Sequence, residues 1–179
     1  QAICDKGDEV IIPAPYWLSY PAMVNLSEAA SVFVETSAEN NFKVIEKDLV
    51  SKITKRTKCL ILNSPSNPTG SLYEIDELKM IARLAVKHKF FVISDEIYEK
   101  LIYDGKKYTS IASLGKDIYD LTITVNGVSK SYSMTGWRIG YAAGPLEIMK
   151  AIANVQSHAT SNPASISQKA ALAALDGDQ

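Results

Sequence analysis

LTITVNGVSKSYSMTGWRIGYAA, residues 121–143, sets two apolar runs on either side of a polar stretch. LTITV (121–125) and IGYAA (139–143) are short, apolar and bounded by Asn, Gly or charge, so both read as strands. The gap between them is too short for a comfortable helical crossover, which parallel neighbours need. The pair is therefore expected to run antiparallel. The gap raises a second question. Lys130 sits close to a sheet core, where an ammonium is costly to bury, and Arg138 follows it at the start of the next run.

Upstream, EVII (9–12), SVFVE (31–35), KCLIL (58–62) and FFVIS (90–94) read as further strands. Several are apolar on consecutive residues, the mark of strands covered on both faces. Helices lie between and after them. EIDELKMIARLAVKHK (74–89) is the clearest, with Ile75, Leu78, Ile81, Ala82 and Ala85 on one face. PLEIMKAIANV (145–155) opens with a proline suited to a first helical position, and Pro163 is expected to start the last helix in the same way. Residues 17–27 and 46–54 are shorter helical segments, and 105–117 is the least regular region. The alternation predicts an α/β fold of three layers, α/β/α, around a mainly parallel but mixed sheet.

The chain has 179 residues, enough for one domain with a sizeable core. It is 46% hydrophobic and 22% charged, a globular composition, and its net charge of −1 carries no basic footprint for nucleic acid. No apolar run reaches the length of a membrane span, and no signal peptide is visible. Cys4 and Cys59 lie in apolar contexts and read as reduced core thiols of a cytoplasmic protein. Asn25-Leu26-Ser27 is a formal glycosylation sequon, discounted because nothing else points to secretion. The chain opens QAICDKGDEV and closes AALAALDGDQ, which reads as a piece cut from a longer protein.

In open α/β sheets, ligands bind beyond the carboxyl ends of the strands. Trp17 follows the first strand, and NSPSNPTG (63–70) follows the third. Asp95, Ile97 and Tyr98 follow the fourth; Asn126, Gly127, Ser129 and Lys130 follow the fifth. Each has a plain structural reading. A lone tryptophan is usually core, Asn-Pro-Thr-Gly is usually a tight turn, and Asn126-Gly127 is a common hairpin signal. A lone lysine usually sits on the surface. Those readings do not explain why an aromatic, an amide, a carboxylate, a phenol and an amine should share one sheet edge.

One cofactor wants this set. Pyridoxal phosphate needs a lysine for its aldehyde, an acid for its pyridine nitrogen and a cation for its phosphate. A phenol and an amide suit its 3-oxygen, a flat aromatic suits its ring face, and an arginine fork suits a phosphate dianion.

The chain resembles the class I/II aminotransferases, the fold-type I pyridoxal-phosphate enzymes. The resemblance is carried by APYWLSYPAM (14–23), NSPSNPTG (63–70), SDEIYEKLIY (94–103) and NGVSKSYSMTGWRIGYAAGP (126–145), in that order and with family-like gaps. It is strongest toward the prokaryotic aspartate aminotransferase branch with the MTGWRIGY signature. The resemblance implies that Lys130 forms the Schiff base and shuttles the proton, and that Asp95 pairs with the pyridine nitrogen. It assigns Tyr98 and Asn67 to the 3-oxygen, with Asn67 also reaching the substrate carboxylate. Trp17 would stack on the ring, Ile97 would lie against its other face, and Arg138 and Ser129 would hold the phosphate. The family often carries a serine three residues before the lysine; here that position is Gly127. By the same likeness the glycine-rich phosphate loop lies before Gln1, and the arginine for the substrate carboxylate lies beyond Gln179. Residues 1–179 would then be the central part of a large cofactor-binding domain. The intact protein would be a homodimer acting on an amino acid and a 2-oxo acid, first aspartate and 2-oxoglutarate. The piece alone is expected to be inactive.

Other readings fit less of the chain. An aminotransferase-like sensor domain of a transcription regulator would bind the same cofactor without turnover. Another fold-type I enzyme would share this segment with a different amino-acid specificity. A Ser-Lys hydrolase would need serine at position 127, and a phosphate loop would need G-K-[ST] after its glycine. His88 and His158 have no metal-ligand spacing, and His88 reads as a cation at a helix C-terminus.

Overall fold

The computed structural model describes residues 1–178. Six strands form one sheet: β1 (Glu9–Ala14), β2 (Ala30–Glu35), β3 (Thr57–Asn63), β4 (Phe91–Asp95), β5 (Thr122–Gly127) and β6 (Gly140–Ala143). Their order across the sheet is β2-β1-β3-β4-β5-β6. The first five strands run parallel. β6 runs antiparallel to β5, with Gly127 opposite Gly140 and Thr124 opposite Ala143. The mixed sheet expected from residues 121–143 is therefore present, without a hairpin turn at Asn126-Gly127. Those two residues end β5 itself, and both are buried.

The helices are α1 (Ser19–Asn25), α2 (Glu46–Lys52), α3 (Ile75–His88), α4 (Lys116–Tyr119), α5 (Leu146–Ala159) and α6 (Ser165–Asp176). Alternate residues of the central strands feed two cores, because strand side chains point to opposite faces in turn. On one face, Ile11, Leu60, Leu62 and Val92 pack with Leu78, Ile81 and Leu84 of α3 and with Phe90. On the other, Val10, Ile12, Cys59 and Ile61 pack with Tyr20 and Val24 of α1. The sheet is thus the middle of three layers. Fully buried side chains such as Ile81 and Phe90 contribute about 1.5–3 kcal/mol each by leaving water.

α3 starts where the Glu74 N–H donates to Glu77 Oε2 at 2.7 Å, and it ends at Lys89, whose φ of 58° is left-handed. Lys87 and His88 lie in its last turn, where cations complement the helix dipole. Ile75 departs from the expected apolar face and is 47% exposed. It is the first residue of the helix, and packing on the sheet begins with Leu78. Pro145 and Pro163 stand just ahead of α5 and α6 rather than inside their first turns. The irregular segment 105–117 is pinned by Ile111, which is 1% exposed and joins the α3 core. Cys4 and Cys59 are buried free thiols, as expected. A thiol–thiol hydrogen bond with Cys4, then burial, push the Cys59 pKa up. Among the described residues, no helix is long and apolar enough to cross a membrane.

One hydrogen bond ties the α2 side of the sheet to the turn after β3. The Val44 N–H donates to Tyr73 Oη at 2.9 Å, and Tyr73 is 3% exposed. Burial pushes the Tyr73 pKa up to about 12. Tyr73→Phe is expected to cost about 1–3 kcal/mol, because it strands a buried donor rather than removing a pair. Urea unfolding checks this, and an unshifted midpoint would mean that the Val44 amide finds another acceptor.

Candidate functional site

Because β1, β3, β4 and β5 are parallel, their carboxyl ends open on the same edge. A cavity of about 430 Å³ lies there. Trp17, Asn67, Asp95 and Ile97 line it, and so do Tyr98, Ser129, Lys130 and Arg138. The eight residues that the resemblance assigned to cofactor binding therefore come together in one space. The fold achieves this through short loops that turn back at the ends of adjacent strands.

Asp95 is the last residue of β4, held between Asn63 of β3 and Val125 of β5. Its Oδ2 accepts the Tyr20 hydroxyl at 2.6 Å, and its Oδ1 accepts the Ile97 N–H at 3.3 Å. Asn63 braces the same corner. Its Nδ2 donates to the Asp95 carbonyl at 2.9 Å, and its Oδ1 accepts the Asn67 N–H at 2.7 Å. That second bond fixes the start of the Asn67-Pro68-Thr69-Gly70 turn against the sheet. Tyr20 is buried and meets Trp17 edge-on, with ring centroids 5.4 Å apart and planes at 90°. Burial, and then the Asp95 carboxylate, push the Tyr20 pKa well above the usual tyrosine range, so its hydroxyl stays a donor. Tyr20 and Asn63 were not picked out by sequence reasoning. Tyr20 follows Trp17 at helical i, i+3 spacing, which places the two on neighbouring positions of one face. Asn63 opens the quoted NSPSNPTG motif and is the last residue of β3.

Lys130 follows β5 on a turn anchored by Val128, which is fully buried beside Ile139 and Ala171. The side chain of Lys130 is not buried, contrary to the expectation of a near-core lysine. The chain turns outward after Val128, so the ammonium stays in the open cavity, and Nζ stands 5.7 Å from the Tyr98 ring centroid. Trp17 is likewise no core residue, at 39% exposed. Arg138 ends the short turn Thr135–Trp137 with φ 53°, in the left-handed region. That conformation costs a residue with a side chain about 1–2 kcal/mol. The Arg138 Nη1 donates to the Thr135 carbonyl at 2.8 Å, which holds the guanidinium over its own turn at the cavity wall.

Position 127 has no room for a side chain. A Cβ there would lie 2.8 Å from the Ile139 carbonyl oxygen and 3.1 Å from Ile97 Cδ1. The tight antiparallel pairing of Gly127 with Gly140 explains why no serine stands at this position. Gly127→Ser is expected to destabilise the fold by about 1–3 kcal/mol through overpacking against backbone. Thermal unfolding decides it, and an unchanged midpoint would mean that β6 moves aside freely.

The cavity carries two cations, Lys130 and Arg138, against one anion, Asp95. Its aromatic, phenol and amide groups suit a flat, anionic, hydrogen-bonding ligand. Comparison with known proteins agrees in kind. The family model for aminotransferase class I and II matches residues 1–179. The chain is 54% identical to the aspartate aminotransferase of Geobacillus stearothermophilus over 179 residues, covering 100% of this chain and 46% of that protein. It is 52% identical to the aspartate aminotransferase of Bacillus subtilis over 177 residues, covering 99% of this chain and 45% of the other. In structure it superposes on the aspartate aminotransferase from Rhizobium meliloti with a TM-score of 0.97 at 46% identity, over 99% of this chain and 45% of that one. The chain thus spans a little under half the length of these relatives. With the four motifs, the mixed sheet and the cavity at its carboxyl edge in agreement, the chain belongs to the class I and II aminotransferase family.

Proposed function

We propose that the whole protein transfers an amino group between aspartate and 2-oxoglutarate, with pyridoxal phosphate held in the cavity at the carboxyl edge of the sheet. The observation that carries this reading is the meeting of Asp95 and Lys130 in one cavity of about 430 Å³. Aspartate as the amino donor rests on the names of the relatives.

The donor set fits the cofactor. Asp95, already fixed by two hydrogen bonds, would pair with the pyridine nitrogen. Trp17 and Ile97 would take the two ring faces, Tyr98 and Asn67 the 3-oxygen, and Arg138 and Ser129 the phosphate oxygens. Bound there, the cofactor supplies an electron sink for the charge left when the substrate loses its α-proton. The other work belongs to the chain. Lys130 Nζ would be the amine that holds the cofactor, and the same amine, once free, would take the substrate's α-proton and return it. Its place at the solvent-reached side of the cavity allows both tasks. Asn67 also holds the substrate carboxylate.

In this reading residues 1–179 form the central part of the large cofactor-binding domain. The remaining phosphate contacts, the second domain and a homodimer partner come from chain outside this stretch. Borohydride trapping tests the proposal. Full-length protein is mixed with pyridoxal phosphate, reduced and digested, and the adduct is located by mass spectrometry. An adduct concentrated on Lys130 is the expected result; adducts spread over surface lysines would refute the assignment.

A further inference from the structure

We infer that Tyr20 is a positioning residue that holds the Asp95 carboxylate in the geometry needed to read the cofactor's pyridine nitrogen. This deepens the proposed function and rests on it. Asp95 has two fixed donors of unequal quality. The Ile97 amide is long, at 3.3 Å, while the Tyr20 hydroxyl is short, at 2.6 Å. A short O–H···O⁻ bond is the strong, charge-assisted kind, so Tyr20 sets the plane of the carboxylate. Tyr20 is itself 6% exposed and packed in the core beneath α1, so the donor does not wander.

The space around Asp95 makes such a brace necessary. A second cavity, of about 270 Å³, shares part of its wall with the first and is also lined by Cys4, Met23, Val24 and Cys59. Asp95, Trp17 and Tyr20 line both cavities. Without the Tyr20 bond, the Asp95 side chain has room to rotate away from the cofactor side. The same phenol ring meets Trp17 edge-on, so one buried side chain braces the partner of the ring nitrogen and the indole facing the ring. Tyr20→Phe removes the first function and keeps the second.

The test uses the full-length protein and two probes: pyridoxal phosphate, and its carbocyclic analogue in which the ring nitrogen is replaced by CH. Equilibrium dissociation constants are measured for wild type, Tyr20→Phe, Asp95→Ala and the double variant. Wild type is expected to favour pyridoxal phosphate. Tyr20→Phe should reduce that preference by about tenfold, the scale of one hydrogen bond to a charged group, and leave analogue binding within about twofold. In the Asp95→Ala background, Tyr20→Phe should change neither constant. Equal weakening for both probes would make Tyr20 mere scaffold and overturn the inference, as would an unchanged preference. If wild type itself shows no preference and Asp95→Ala alters nothing, the cofactor reading falls, and this inference falls with it.

Discussion

Lys130→Ala is expected to lower amino-group transfer by the full-length protein by at least ~10³-fold, within the range that a positioned acid–base group supplies. The loss has two sources in one side chain. Lys130 is the amine that would hold the cofactor and the base that would move the substrate's α-proton. No other described amine lines the cavity. Cofactor affinity should fall much less than the rate, since Asp95, Trp17 and Arg138 remain in place. The split between rate and affinity separates a chemical role from a structural one. Stability should hardly move, because the side chain is exposed and the turn is anchored by Val128 instead. Turnover is followed with aspartate and 2-oxoglutarate at saturating cofactor. A variant retaining more than a tenth of the wild-type rate would remove Lys130 from the chemistry.

What the sequence made legible follows from what its local patterns encode. Each strand core was readable because β-branched and aromatic runs between turn residues have few other uses. Boundaries shifted by one or two residues, as with 9–12 against Glu9–Ala14, because ladder pairing extends strands past their apolar centres. The antiparallel β6 was readable from chain length alone. Asn126-Gly127, a common hairpin signal, forms no hairpin turn: pairing with β6 keeps both residues in the ladder, and the chain reverses later. The site was legible where a side chain has a chemical use, as with Lys130, Asp95 and Arg138. It was not legible where a side chain acts on another side chain. Tyr20 and Asn63 touch Asp95 and the Asn67 backbone, contacts that exist only once α1, β3 and β4 have met. Exposure was misjudged for Lys130, which follows the apolar run 121–125 in sequence but faces an open cavity in space.

Asp95→Asn tests the site from the opposite side to Lys130. It preserves shape and removes one charge. An amide cannot keep a pyridine nitrogen protonated, so in the proposed reaction the electron-sink chemistry of the cofactor would be blunted. Removing a preorganised electrostatic partner of this kind costs about 10²–10³ in rate. The local hydrogen bonds add to the effect. In the native chain the two carboxylate oxygens serve different donors, Oδ2 the Tyr20 hydroxyl and Oδ1 the Ile97 amide. An asparagine has only one oxygen. If it faces Tyr20, its NH₂ meets the Ile97 N–H, donor against donor; if it faces Ile97, its NH₂ can donate to the Tyr20 oxygen, but the phenol proton that burial retains loses its acceptor. Either orientation leaves one donor without its partner. Asp95→Asn is therefore expected to lower the transfer rate by at least ~10²-fold. It should also lower stability modestly, by about 1–3 kcal/mol for the donor left unsatisfied. Asp95→Glu keeps the charge but misplaces it, and should fall between wild type and Asp95→Asn in rate. Steady-state kinetics on the three proteins gives the ordering. If Asp95→Asn matches wild type within a few fold, the carboxylate is a structural link between β4 and α1 and not the partner of a ring nitrogen.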